Sequence, residues 1–316
     1  MIIVNFVLMC MVFGTTFLAI KVGVDAGAPP FFSAGIRFVI AGSLILIWMV
    51  LKKKASFSLL VRKEMWLIGI GLTFGTFSLV YWAEQYVSSG TAAVLSATAP
   101  IVIILMQMVL YRNRVEGRKM IGCFISLAGV VVLVLPQLSL GTDTLWLLGC
   151  TAILVGQIFY AGGALYSKKV IGRFSETSPI AQNAAQMLCG GILLLVLSAF
   201  SERIQLESLL SMQVIGSQIY LIVIGSMVGH TIFYWLVANT NPLFPSMWLY
   251  ISPFIAVSIG SLLYNEAVSI YMIVGSVATI VGLVVANTEL FSSRKRQTFL
   301  AKGMSPDRVA HEQTKG

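Results

Sequence analysis

Three charged side chains, Lys21, Arg37 and Glu84, stand inside or at the edge of long apolar runs. An ionised group taken out of water is costly, so such residues mark ion pairs, solute contacts or proton relays. His230 sits in another apolar run and is the group there whose ordinary titration lies nearest neutrality. It is either a proton carrier or a neutral, hydrogen-bonded packing residue. Thr15, Thr16, Gln157, Tyr160, Gln186 and Trp248 fall near the middle of apolar runs, where polar atoms could line a cavity. Tyr81-Trp82 and Tyr234-Trp235 lie toward run ends, and there aromatic rings serve either to hold planar or cationic solutes or to anchor the chain at a lipid interface. Pro100 and Pro253 lie within runs, where a proline frees a carbonyl and permits a kink.

The elements that must position these groups are membrane helices. Apolar residues make up 58% of the 316-residue chain and charged residues 10%, which leaves too little polar surface to cover a water-soluble domain. Runs near 3–23, 31–51, 65–87, 89–111, 119–136, 144–168, 178–200, 213–237, 242–264 and 270–288 are each about the length of a lipid-spanning helix. The expected fold class is an all-α membrane protein of ten transmembrane helices. The apolar N-terminus lacks a basic leader segment and is expected to remain as the first helix.

Charge placement supplies an orientation. All but Lys21, Arg37 and Arg203 of the 21 Lys and Arg fall in segments 52–64, 112–119 and 168–177 or in the tail. With ten spans these clusters share one side, which the positive-inside rule makes cytoplasmic, with both termini inside. That distribution reads as topology rather than as a nucleic-acid surface. The tail, 289–316, is polar and basic.

The two halves repeat. An offset of 153 aligns 81–134 with 234–287, matching Tyr81-Trp82 to Tyr234-Trp235, Pro100 to Pro253, Tyr111 to Tyr264, Gly122 to Gly275 and Gly129 to Gly282. Upstream, Gly14 and Phe17 match Gly156 and Phe159, and Pro30 and Gly42 match Pro179 and Gly191. Units 1–140 and 141–288 with five spans each must lie in opposite senses, an architecture of secondary transporters. In this frame Lys21, Arg37 and Glu84 share a level near the outer side, with Arg37 roughly 9 Å in from its helix start. Glu84 is expected to pair with Arg37 or Lys21, either as a gate that breaks during transport or as a static packing pair. Their counterparts in the second half are Gly163, Gln186 and Val237, so the charge cluster is expected to have no mirror image.

The motifs resemble the EamA-type drug/metabolite transporters. Phe13-Gly14-Thr15-Thr16-Phe17 resembles that family's aromatic-Gly-Ser/Thr-x-Phe motif, and Pro30 with Arg37 its Pro…Arg spacing. The run Ala83 to Ala93 leading to Pro100 resembles its helix 3 to 4 segment, and Pro253 with Leu263-Tyr264-Asn265-Glu266 its second-repeat pattern. Asn113 stands where the first repeat would carry the matching Glu. The resemblance, over 5–288, implies two repeats around a central cavity and transport, often efflux, of metabolites such as amino acids or nucleobases. Enzymatic motifs are lacking: there is no GxxxxGK[ST], HExxH, CxxC or GxSxG. No cofactor or metal is expected; the partners are a small solute and lipid, with proton coupling through Glu84 or His230. Cys10, Cys123, Cys150 and Cys189 all fall in apolar runs and are expected to be free packing residues.

Overall fold

The computed structural model describes residues 1–111, 116–135, 143–204, 206–255 and 270–286. Asn113, the Leu263-Tyr264-Asn265-Glu266 motif and the tail lie outside the described residues, as do the side chain of Tyr111 and parts of the basic 112–119 segment. Within the described residues the regular structure is helical. Seven helices are long and apolar enough to cross a membrane: α1 Ile2–Asp25, α2 Pro30–Leu51, α3 Lys63–Ala83, α4 Ser89–Leu110, α6 Thr144–Arg173, α7 Pro179–Ser201 and α8 Met212–Asn239. Between and after them come α5 Gly117–Val134, α9 Leu243–Ile255 and α10 Ile270–Ala286. Large apolar side chains such as Val7, Leu44, Trp48, Phe200 and Val277 are exposed on these helices. Lipid is the solvent that makes such a surface stable.

One boundary differs in a way that matters. The sixth helix was expected to end near 168 but continues to Arg173, so Lys168, Lys169 and Arg173 ride on its last turns. Cations there face the negative end of the helix dipole, which favours continuation. The four cysteines are free, with Cys10, Cys123 and Cys189 buried.

Several helices depart from regular α geometry where the sequence loosens them. α1 is interrupted at Thr15, whose hydroxyl donates back to Val12 O at 2.9 Å, while Thr16 does the same to Phe13 O at 2.7 Å. Such back-bonds compete with the helix ladder and bend it. α4 breaks between Ser96 and Ala99, just ahead of Pro100, which has no N–H for the preceding turn. α9 is interrupted at Met247, and Pro253 follows in its second piece. α3 and α8 each widen to a π-helix, over Gly69–Gly75 and Leu221–His230. Widened turns of this kind change which side chains face a neighbour and recur at functional sites.

Close helix contacts hold the bundle together. A Cβ on Gly122 would lie 2.6 Å from Gly282 O, and one on Gly129 2.8 Å from Gly275 O, so only hydrogen fits at these crossings. The contacts run in opposite directions along the chain, so α5 and α10 are antiparallel. Between them Ser126 Oγ donates to Thr279 O at 3.0 Å, a pair separated in sequence by 153 residues. α2 and α7 cross in the same manner, with Gly42 against Leu188 and Gly191 against Val39.

Candidate functional site

The interrupted and widened stretches surround a central cavity lined by Phe13, Thr16, Phe17, Ile20, Arg37, Leu72, Thr76, Phe77, Val80, Ser96, Gln157, Tyr160, His230, Phe233, Trp248 and Leu249. Its volume is about 50 Å³, room for a few waters. A typical small-molecule site is several times larger, so a solute must be met by side-chain and helix movement.

Arg37 projects from α2 into this space and is 1% exposed. Its Nε donates to Ser226 Oγ at 2.7 Å, and its NH1 to the Tyr81 hydroxyl at 3.2 Å. Ser226 is offered by the π stretch of α8, and the neighbouring Gly225 leaves room beside NH2, from which a Cβ would be only 3.0 Å. The guanidinium lies over Phe38 and Phe77, 4.8 and 5.2 Å from the ring centres. His230 meets the same two rings at 5.5 and 5.8 Å and Phe13 at 5.2 Å. Its Nε2 has no hydrogen-bond partner, nor has Trp248 Nε1. Trp248 packs on Phe13 at 4.6 Å and on Phe17 at 6.1 Å. Opposite, Gln157 Nε2 donates to Ser96 Oγ at 3.3 Å, and the Tyr160 hydroxyl to Ser246 Oγ at 3.2 Å.

Of the sequence candidates, Thr16, Arg37, Gln157, Tyr160, His230 and Trp248 therefore come together in one cavity. Tyr81 stands behind Arg37 as its hydrogen-bond partner. Thr15 bonds Val12 O and the Tyr220 hydroxyl instead of lining the space. Tyr234 is buried away from it with its hydroxyl unpartnered, and Pro100 and Pro253 act on the course of α4 and α9 rather than on the lining. Gln186 accepts from Thr73 Oγ1 at 2.9 Å, a helix contact outside the cavity. Phe13, Phe17, Phe77, Thr76 and Phe233 were not singled out from the sequence, where a cavity-facing Phe looks like a lipid-facing one.

The expected ion pair of Glu84 with Arg37 or Lys21 is not formed. Glu84 is fully buried and both carboxylate oxygens lack a partner. Lys21 instead donates to the backbone carbonyl of Glu84 at 2.8 Å and pairs with Asp25 at 2.8 Å. That carbonyl belongs to the end of α3, so Lys21 caps a helix C-terminus.

The mirror image thought to be missing is present in part. Lys168 donates to Val237 O and Ala238 O at 2.9 and 2.8 Å, capping the end of α8 as Lys21 caps α3. Gln186–Thr73 likewise mirrors Arg37–Ser226, since Thr73 and Ser226 are 153 residues apart and each sits in a π stretch. Extending the Gly14–Gly156 alignment sets Gly163 opposite Lys21 and so misses the second lysine.

An apolar helical bundle around a polar-flecked central cavity is built to carry solutes across a membrane. The chain belongs to the EamA-like transporter family, whose sequence profile matches residues 1–135 and 147–288. It is similar to protein PagO of Salmonella typhimurium, 28% identical over 88% of this chain and 90% of that protein. The inner membrane transporter YedA of Escherichia coli K12 is 29% identical over 90% of each chain. The transporter YoaV of Bacillus subtilis is 25% identical over 90% of this chain and 96% of its own length. A solved crystal structure shares the fold at TM-score 0.72 and 18% identity, covering 90% of this chain and 96% of that one. The protein is thus a membrane transporter and not an enzyme.

Proposed function

We propose that this protein is a secondary transporter in the cell membrane, exporting a small polar metabolite or drug-like solute by alternating access. Ten spans form two inverted five-helix units, 1–140 and 141–288, with both termini and the 289–316 tail in the cytoplasm. The observation that carries this reading is the antiparallel α5–α10 crossing. Gly122 meets Gly282 and Gly129 meets Gly275, each contact being the other's image at an offset of 153. Two units related in this way can exchange roles, closing the cavity now on one side and now on the other. The shared end of the basic segments supports the orientation: Arg173 lies 3.6 Å from Glu64, and Arg62 stacks 4.4 Å over the Phe174 ring. The relative YedA is named an inner membrane transporter, in keeping with a cell-membrane location. Export follows the family resemblance.

Glu84, with Arg37 and Lys21 at the same end of the bundle, is assigned to the outer gate. Its unpartnered carboxylate would gain a partner when the helices shift, and proton coupling would act through it or through His230. Counterflow of labelled solute in liposomes tests the transport reading, and a requirement for a pH gradient tests the coupling. Glu84→Gln is expected to slow exchange at least tenfold and to flatten its pH dependence. A normal rate and pH profile would remove Glu84 from the gate, and an unaltered profile in His230→Gln would remove the histidine from coupling.

A further inference from the structure

Resting on the transport reading, we propose that the solute is an organic anion: its carboxylate docks on Arg37 and its apolar body lies among the aromatic rings of the cavity. Arg37 is a buried cation that forms no ion pair among the described residues. Among the described residues no carboxylate comes within ion-pair distance of it; Glu84, just past the end of α3, has neither carboxylate oxygen hydrogen-bonded, and Asp25 is taken by Lys21. Two of the guanidinium's N–H groups go to Ser226 and Tyr81. Among the described residues the guanidinium makes no other hydrogen bond, and a buried charge without an ionic partner is costly to keep.

The second half of the molecule shows that this charge is not needed for packing. At the mirrored place Gln186, a neutral amide, docks α7 on the π stretch of α3 through Thr73 at 2.9 Å, much as Arg37 docks α2 on α8 through Ser226 at 2.7 Å. Gln186 completes its bonding with Asn183 and stays out of the cavity, whereas Arg37 lines it. The positive charge therefore belongs to the cavity rather than to the helix contact. A planar guanidinium edge is matched to a carboxylate by two parallel hydrogen bonds. The described lining carries no acidic side chain to balance a cationic solute, which would meet Arg37 as a like charge. Phe13, Phe17, Phe77 and Trp248 supply the apolar remainder of the site, and Trp248 Nε1 adds an unused donor.

Three probes of one shape test the charge: 3-phenylpropionate, 3-phenylpropanamide and 3-phenylpropylammonium, each at millimolar concentration with the purified full chain. The acid is expected to raise the melting temperature and to compete at least tenfold better than the other two. Arg37→Lys should keep that order with weaker binding, and Arg37→Gln should abolish it. Should Arg37→Gln fail to fold, the wild-type ranking of the three probes still decides. Equal binding of the amide, tighter binding of the ammonium compound or no binding by the acid would overturn the proposal. Labelled acid in liposome counterflow separates the two ideas. Exchange of the amine or amide alone would leave transport standing without the anion, and binding of the acid without exchange would leave the anion site standing without transport.

Discussion

Arg37 and Gln186 occupy mirrored places on α2 and α7, and each bonds a hydroxyl presented by a widened turn of the other half. The mechanical task is the same; the electrical one is not. Gln186 is wholly buried and neutral, satisfied by Thr73 and Asn183, while Arg37 carries a full charge to the cavity wall. The helix ends repeat the contrast. Lys168 caps α8 through two bare carbonyls, whereas Lys21 caps α3 beside Asp25 and the unpartnered Glu84. The two halves share these contacts, and the first places its ionisable groups where the second has neutral ones. A group kept in both halves is best explained by packing, and a group found in one half by function.

The most forceful way to break that comparison is to make the neutral half charged. Gln186→Arg would bury a guanidinium where Thr73 and Asn183 offer one hydroxyl and one amide and no cavity is near. A charge at helix-centre depth costs about 3 kcal/mol on insertion scales. The variant is expected to lose most of its folded protein, measured by size-exclusion yield and melting temperature. Wild-type yield would show that the two mirrored places are electrically equivalent and would weaken the assignment of Arg37's charge to solute.

A smaller effect is expected where both halves share a task. Lys168→Met removes two charge-assisted bonds to the end of α8, and loss of such bonds costs about 1.5–3 kcal/mol each at most, less where water reaches the freed carbonyls. The melting temperature should fall, while exchange per folded molecule stays within twofold of wild type. A tenfold loss of exchange at unchanged stability would instead make the Lys168 cap part of the moving machinery.

Much of this arrangement was legible in the residues. Long apolar runs located the helices because lipid demands them, and Pro100 announced the break in α4 because its ring cannot join the ladder. Gly122, Gly129, Gly275 and Gly282 carried the repeat because helices that touch backbone to backbone tolerate no side chain. Arg37 and His230 stood out as polar groups in apolar surroundings and do line the cavity. The Phe side chains beside them did not, since the same residue serves a lipid face, a packed core and a cavity wall. The glycines of the two π stretches, among them Gly69, Gly71, Gly225 and Gly229, loosen a helix without specifying that it widens. Lys168 was counted with the basic segment 168–177 rather than as a helix cap because the extra turns of α6 lie beyond the end of the apolar run, and the Glu84 pair failed because shared depth along helix axes does not fix side-chain reach.

The finest distinction lies at the Lys21 cap itself. Lys21 makes two contacts of similar length, one to the Glu84 carbonyl and one to Asp25, and only the first joins separate helices. Asp25 is on the same helix, one turn on, with its side chain 58% exposed, and ion pairs at that spacing contribute about 0.2–0.5 kcal/mol. Asp25→Asn is therefore expected to leave the melting temperature within a degree or two and exchange within twofold, because Lys21 keeps its bond to α3. If exchange instead falls as far as in Glu84→Gln, Asp25 holds Lys21 away from the Glu84 carboxylate. The Lys21 end would then work as a three-member charge relay, a device for which the Lys168 end has no counterpart among the described residues.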